Sequence, residues 1–205
     1  MGLTMSRASP DSGNPAVAKH QAGKHEPGRA PAPAERPADE CRQLGLRIAR
    51  DGTWYYHGSP IGRKAIPKLF ATVLRREDDG SYWLVTPAER GRIEVEDAPF
   101  VAVALDVRQD GGRQQLVFTT NLDDEVVAGS EHRLWVEPPA PGAAENEGGT
   151  PYVDVRRGLN ARLARAVYYQ LVDLAVAEET AEGFVYGVWS DGMFFPLGPA
   201  DGSAS

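Results

Sequence analysis

The sequence predicts a soluble α+β fold in two parts, and three observations carry that prediction. Short runs of alternating apolar and polar residues recur between Gly, Pro and Asp-rich breaks, as half-buried strands do. Two longer stretches repeat apolar residues at helical spacing. An Asp-Gly hairpin signal occurs in both parts: Asp51, Gly52, Trp54, Tyr55 and Gly58 match Asp191, Gly192, Phe194, Phe195 and Gly198 at equal offsets, with Ile48 and Val188 upstream. The hairpin precedes the helix in the first part and follows it in the second, so any duplication is distorted, and chance accounts for the match as readily.

Residues 1–41 are rich in Pro, Ala and Gly and nearly empty of large apolar side chains. Such a segment cannot bury enough surface to offset its ordering entropy and is expected to be a disordered tail. His20 and His25 within it read as solvated. A first half is expected over 42–108, a second over 109–199, and a short tail over 200–205. In the first half "LRIAR" and "TWYYH" flank Asp51-Gly52, a hairpin signal that expects positive φ at both central residues. Ile66, Leu69, Phe70, Val73 and Leu74 then predict a one-faced helix, with Pro67 tolerated in its first turn. Strands follow at "YWLVT", "RIEV" and "FVAVALDV", the last apolar enough for the centre of a sheet.

After "RQDGG" come "QQLVFTT", "EVVA" and "HRLWVE", a Pro, Gly and Glu-rich loop from Pro138 to Thr150, and "YVDV". The longest helix is expected from Leu159 to about Ala177, with Leu159, Leu163, Val167, Leu171 and Leu174 as its apolar stripe. The chain closes on "FVYGVWSDGMFFPLG", a hairpin about a second Asp-Gly turn.

Composition limits function. At 205 residues with 41% hydrophobic side chains the chain can build a real core, and its formal charge of -7 argues against general nucleic-acid binding, which needs a basic field. One cysteine, Cys41, excludes a disulfide framework or a cysteine-based metal site within a monomer and fits a reducing cytoplasm. No secretory signal and no run near the roughly 18 apolar residues of a membrane span is found, so a cytoplasmic protein is expected.

The candidate chemistry is anion binding. Arg63-Lys64 precedes the first helix, and Arg156-Arg157 precedes the second as read here. Cations sit badly at a helix N-terminus, whose free N–H groups favour anions, so an anionic ligand or a nearby carboxylate would relieve the conflict. Arg162 and Arg165 follow at i and i+3, with Tyr169 four further on. Tyr168, Trp189 and Tyr55 are further stacking candidates. Thr119 and Asn121 in "TTNLDDE" would point polar groups to the site, and Asp123 or Asp124 would accept an arginine; an Asx-type turn explains that stretch equally. The ordinary reading of each arginine is a solvated or paired surface residue. "GSPIGRKA" fails as a phosphate loop, because its glycine spacing is short and Ala65 occupies the hydroxyl position. His57, Ser59 and Asp51 lack a nucleophile elbow and an oxyanion hole, and no metal-ligand spacing is present, so no catalytic residue, metal or cofactor is expected.

Taken together, "RDGTWYYHGSPIGRKAIPKLFATVLRREDDGSYWLVTPAERGRIEVEDAPFVAVALDV", "VFTTNLDDEVVAG", "VDVRRGLNARLARAVYYQLVDLA" and "GVWSDGMFFPLG" resemble the bacterial domain-of-unknown-function family 1285. The resemblance runs from Leu44 to Gly198. It implies two similar halves, each a small mostly antiparallel sheet with one helix, the C-terminal half superficially like a pleckstrin-homology fold. It also implies a nucleotide-based ligand at the interface of the halves, in signal transduction, with no established activity. Its motif positions here are Asp51, Gly52, Pro60, Ile61 and Arg63, then Thr119, Asn121, Arg156, Gly158, Leu159, Arg162, Arg165 and Gly198.

The expected function is therefore non-catalytic binding of an anionic, nucleotide-like ligand between the halves, clamped by Arg156, Arg162 and Arg165 with Arg63 and Lys64 from the facing half. The alternative is a protein-interaction or homo-oligomerisation module whose "WYY" and "MFF" hairpins form an exposed aromatic surface.

Overall fold

A computed structural model describes residues 43–139, 141–142, 149–180 and 183–199 of the chain. The expected tails, with His20, His25 and Cys41, and the middle of the Pro138–Thr150 loop lie outside the described residues. The fold is α+β in two similar halves, each built on a six-stranded sheet with one helix, and a three-stranded sheet completes the second.

The first half holds β1 (Gln43–Ile48), β2 (Trp54–Tyr56), β3 (Ser59–Pro60), α1 (Ala65–Val73), β4 (Leu74–Arg76), β5 (Tyr82–Val85) and β6 (Arg90–Val95), in sheet order β3-β2-β1-β6-β5-β4. Two antiparallel meanders are joined by one parallel pair, β1 with β6. At the β1–β2 turn only Gly52 takes positive φ, at 82°. Asp51 serves instead as an acceptor, its Oδ1 taking the Thr53 N–H at 2.9 Å, so this is a three-residue loop closed by a glycine bulge.

The second half has β7 (Phe100–Asp110), β8 (Arg113–Thr120), β9 (Glu125–Val127), β10 (Leu134–Glu137), β11 (Thr150–Arg156), β12 (Leu159–Leu163), α2 (Arg165–Asp173), β13 (Val176–Thr180), β14 (Gly183–Ser190) and β15 (Met193–Pro199). Its main sheet runs β10-β11-β12-β7-β8-β9, again two meanders joined by one parallel pair, here β12 with β7. β7 is central, as its apolar start requires. The halves divide ahead of Phe100, and the boundary expected at 108/109 falls inside this strand.

The long second helix is corrected at its start. Leu159 to Leu163 is a strand, entered by a two-residue turn in which Arg157 and Gly158 both take positive φ, 41° and 77°. Leu159 and Leu163 are four apart, and four is both a helical turn and two strand repeats, so the pair cannot distinguish the two periods. Ala161 does: Leu159, Ala161 and Leu163 are all buried with Asn160 and Arg162 between them half-buried. The short strands β3, β4 and β13 were not expected at all. In α1 the expected stripe is turned, because Pro67 and Ala71 are buried whereas Ile66 and Leu69 face solvent.

One core runs through both halves, from Ile48, Trp54 and Leu74 to Phe100, Phe118, Leu159 and Leu171. α2 packs on β7, and the small sheet leans on the main one through β14 against β8 and β15 against β10. Wholly buried Ser190 joins them: its Oγ donates to the Ala128 carbonyl at 2.6 Å and accepts the Leu116 N–H at 2.9 Å. No helix among the described residues is long and apolar enough to cross a membrane.

Candidate functional site

The cations flagged in the sequence do not assemble into one clamp. At the start of α1 the Lys64 ammonium donates to Asp123 Oδ1 at 2.5 Å, and Lys68 donates to Asp123 Oδ2 at 2.7 Å. The lysine bonds hold the Asp123 carboxyl below its ordinary value. Of the two remedies for a cationic helix start, the chain uses its own carboxylate. Arg63 is exposed beside it. Asp123 reaches that place because Thr120 Oγ1 accepts the Leu122 and Asp124 N–H groups and turns the chain there, a threonine turn where an Asx turn was expected.

Arg156 ends β11 rather than preceding a helix. It donates to the Ala71 carbonyl of α1 at 3.0 Å, pairs with Asp124 at 3.5 Å and lies over the Phe100 ring at 5.4 Å. Asn121 binds backbone, with Oδ1 accepting the Val101 N–H at 3.0 Å and Nδ2 donating to the Gly52 carbonyl at 3.2 Å. Thr119 is a half-buried residue of β8. Arg165 opens α2 and donates from Nε to the Tyr169 hydroxyl at 2.9 Å. Arg156 and Asn121 bind the halves together and Arg165 braces α2, each with partners within the chain. Tyr55 lies under the Arg47 guanidinium at 4.3 Å, and Trp189 leans on Phe194 with ring centres 5.4 Å apart.

Arg162, on β12, donates to Asp97, and Asp97 lines a cavity between the halves. This cavity, about 600 Å³, is lined by Arg76, Tyr82 and Asp97 from the first half, and by Arg133, Trp135, Tyr152, Asp154 and Asn160 among others from the second. The second half presents one face of three adjacent strands. Trp135 stands opposite Tyr152, Tyr152 opposite Arg162, and Asp154 opposite Asn160, so all of these side chains share that face. The Trp135 and Tyr152 rings stack with centres 5.6 Å apart and planes inclined by 22°.

Asp97 is the hinge of charge at the wall. It accepts the Tyr152 hydroxyl at 2.6 Å and Arg162 at 3.4 Å, with Arg50 at 3.8 Å. Burial, and then the bond to Asp97, push the Tyr152 phenol well above its ordinary range, so it stays a donor. Burial also raises the Tyr82 phenol and the Asp154 carboxyl; His132 and Arg133 oppose the shift at Asp154. The Asn160 Oδ1 is buried and has no hydrogen-bond partner. Two arginines, three carboxylates (Asp97, Glu137 and Asp154), the two stacked rings, the Tyr82 phenol and an amide thus line one space. That set can hold a planar group and an anion together.

Sequence reasoning missed Arg76, Tyr82, Arg133, Trp135, Asp154 and Asn160. The signal was present as alternation, since Arg133 and Trp135, and Tyr152 and Asp154, lie two apart in strands. Which strands stand side by side was not readable. Among the described residues no cluster of His, Cys, Asp and Glu has the arrangement of a metal site.

Residues 32–98 match the model described as "Domain of unknown function (DUF1285), N-terminal domain", and residues 99–197 match "Protein of unknown function (DUF1285), C-terminal domain". Among solved structures, a DUF1285 family protein from Silicibacter pomeroyi DSS-3 is 43% identical, with a TM-score of 0.68 over 77% of this chain and 81% of that one. A DUF1285 family protein from Shewanella baltica OS155 is 29% identical over 63% of this chain and 91% of that one, with a TM-score of 0.46. No curated protein matches. With both models matched in order along the chain, and with that identity and coverage to the Silicibacter protein, the chain belongs to the DUF1285 family.

Proposed function

We propose that this protein binds an anionic, nucleotide-like ligand, without catalysis, in the cavity between its halves. The supporting observation is the cavity itself: about 600 Å³, within the range of small-molecule sites, with arginines from both halves and the Trp135–Tyr152 stack on its walls. The rings offer a face for a base, and Arg76 and Arg133 offer donors for phosphate. Arg162 serves indirectly, by holding Asp97 in the wall. On this reading a ligand that spans both halves reports its own presence through their relative packing, which suits a role in bacterial cytoplasmic signalling.

The test is a thermal-shift screen of nucleotides, cyclic dinucleotides and simple phosphates at low and high salt. A ligand at tens of times its dissociation constant stabilises the fold by about 2 kcal/mol and raises the melting temperature by a few degrees. Arg133→Glu, an exposed position, is expected to keep the unliganded melting temperature and lose the shift. A screen with no salt-sensitive stabilisation, or an unaltered shift in Arg133→Glu, would sink the reading.

A second reading draws on one observation. Phe184 and Tyr186 are exposed two apart on one face of β14, an apolar pair of the kind found at interaction surfaces. The "WYY" and "MFF" surface is narrower than expected, because Trp54 and Phe195 belong to the core. If β14 is a self-association face, Tyr186→Glu lowers the mass measured by sedimentation; a monomeric wild type counts against it.

A further inference from the structure

We infer that the cavity reads the base of its ligand, and that the carboxylate of Asp154, set beside the Trp135–Tyr152 ring pair, selects a guanine-type edge. This rests on the ligand reading above and goes further, to the identity of the base. Tyr152 and Asp154 are two apart on β11, so their side chains rise from the same face about 7 Å apart along the strand. A planar ring lying on the stacked pair therefore presents its edge, not its face, to Asp154.

The chemistry of that edge decides between purines. An ionised carboxylate offers acceptors only. Guanine places two adjacent donors there, N1–H and the 2-amino group, which pair with the two carboxylate oxygens as a fork. Adenine places the N1 lone pair in the same position, leaving a half-buried carboxylate facing an acceptor, the kind of mismatch that a polar site rejects most strongly. Asn160, the cross-strand neighbour of Asp154, lines the same wall and carries the amide donor that the guanine O6 requires. Arg76, on the first half's side of the cavity, remains for the phosphate.

The experiment is a calorimetric titration of the full chain with GMP, IMP, XMP and AMP, repeated on Asp154→Asn after its melting temperature is shown to match the wild type. GMP is expected to bind tighter than AMP by roughly tenfold or more, with IMP, which lacks the 2-amino group, between them. Asp154→Asn exchanges one acceptor for a donor, so it is expected to weaken GMP and favour XMP, whose C2 carbonyl accepts from the new amide. Equal affinities for GMP and AMP, or a GMP preference that survives Asp154→Asn, would overturn the base reading while leaving a ligand in the cavity. Binding of none of the four at millimolar concentration would overturn both.

Discussion

Asn121 shows how a residue expected to meet a ligand can be consumed by the fold. Its amide closes one backbone N–H and one backbone carbonyl from different halves, and Gly52 is a glycine for the same reason, since a Cβ there would lie 2.5 Å from Asn121 Nδ2. Asn121→Ala leaves both groups without that partner and is expected to cost about 1 to 3 kcal/mol in urea denaturation. Asp123 carries a pH signature. Its pKa is lowered in the folded state from 3.8, so its bonds to Lys64 and Lys68 contribute stability in full above that value and lose it as the pH falls below. The gap in melting temperature between wild type and Asp123→Asn is therefore expected to hold constant down to about pH 4 and to close under it. A gap that persists at pH 2 would show that the pair contributes nothing through charge.

At the scale of elements the β11–β12 turn is decisive. Were Leu159 to Leu163 helical, Arg162 would project from a helix surface; as a strand, it stands beside Tyr152 and reaches Asp97 at the cavity wall. The turn depends on Gly158 at φ 77°, where an added Cβ meets no neighbour but the backbone conformation itself disfavours an L side chain. Gly158→Ala is expected to destabilise by roughly 1 kcal/mol or somewhat more, because it loosens the register of Asp154 with Asn160. An unchanged urea midpoint would count against this account of the turn.

Across the whole molecule the contacts between halves are of two kinds. Lys64 and Lys68 with Asp123, Arg156 with the Ala71 carbonyl, and Asn121 with Gly52 fasten them on the α1 side. Tyr152 and Arg162 of the second half, both held by Asp97 of the first, fasten them at the cavity. With a shared core besides, the halves are expected to unfold as one unit. Tryptophan fluorescence and far-UV circular dichroism of the wild type should therefore give the same urea midpoint. Separate midpoints would mean that the halves are independently stable.

The sequence by itself determined the class of fold, the positions of most strands, the first helix and the hairpin about Asp191-Gly192, because turn chemistry and the two-residue period are local properties. It also placed the cations at the start of α1 and the carboxylates that could answer them. It could not decide Leu159 to Leu163, where four-residue spacing satisfies helix and strand alike, nor which answer the cations receive. The tertiary structure decided both. It paired β12 with β7 and β11, brought Asp123 to Lys64 from 59 residues away, and set Arg133, Trp135, Tyr152 and Asp154 on one face opposite Arg76 and Asp97. Sheet order and register depend on pairing between distant segments, and a cavity exists only where two such surfaces meet.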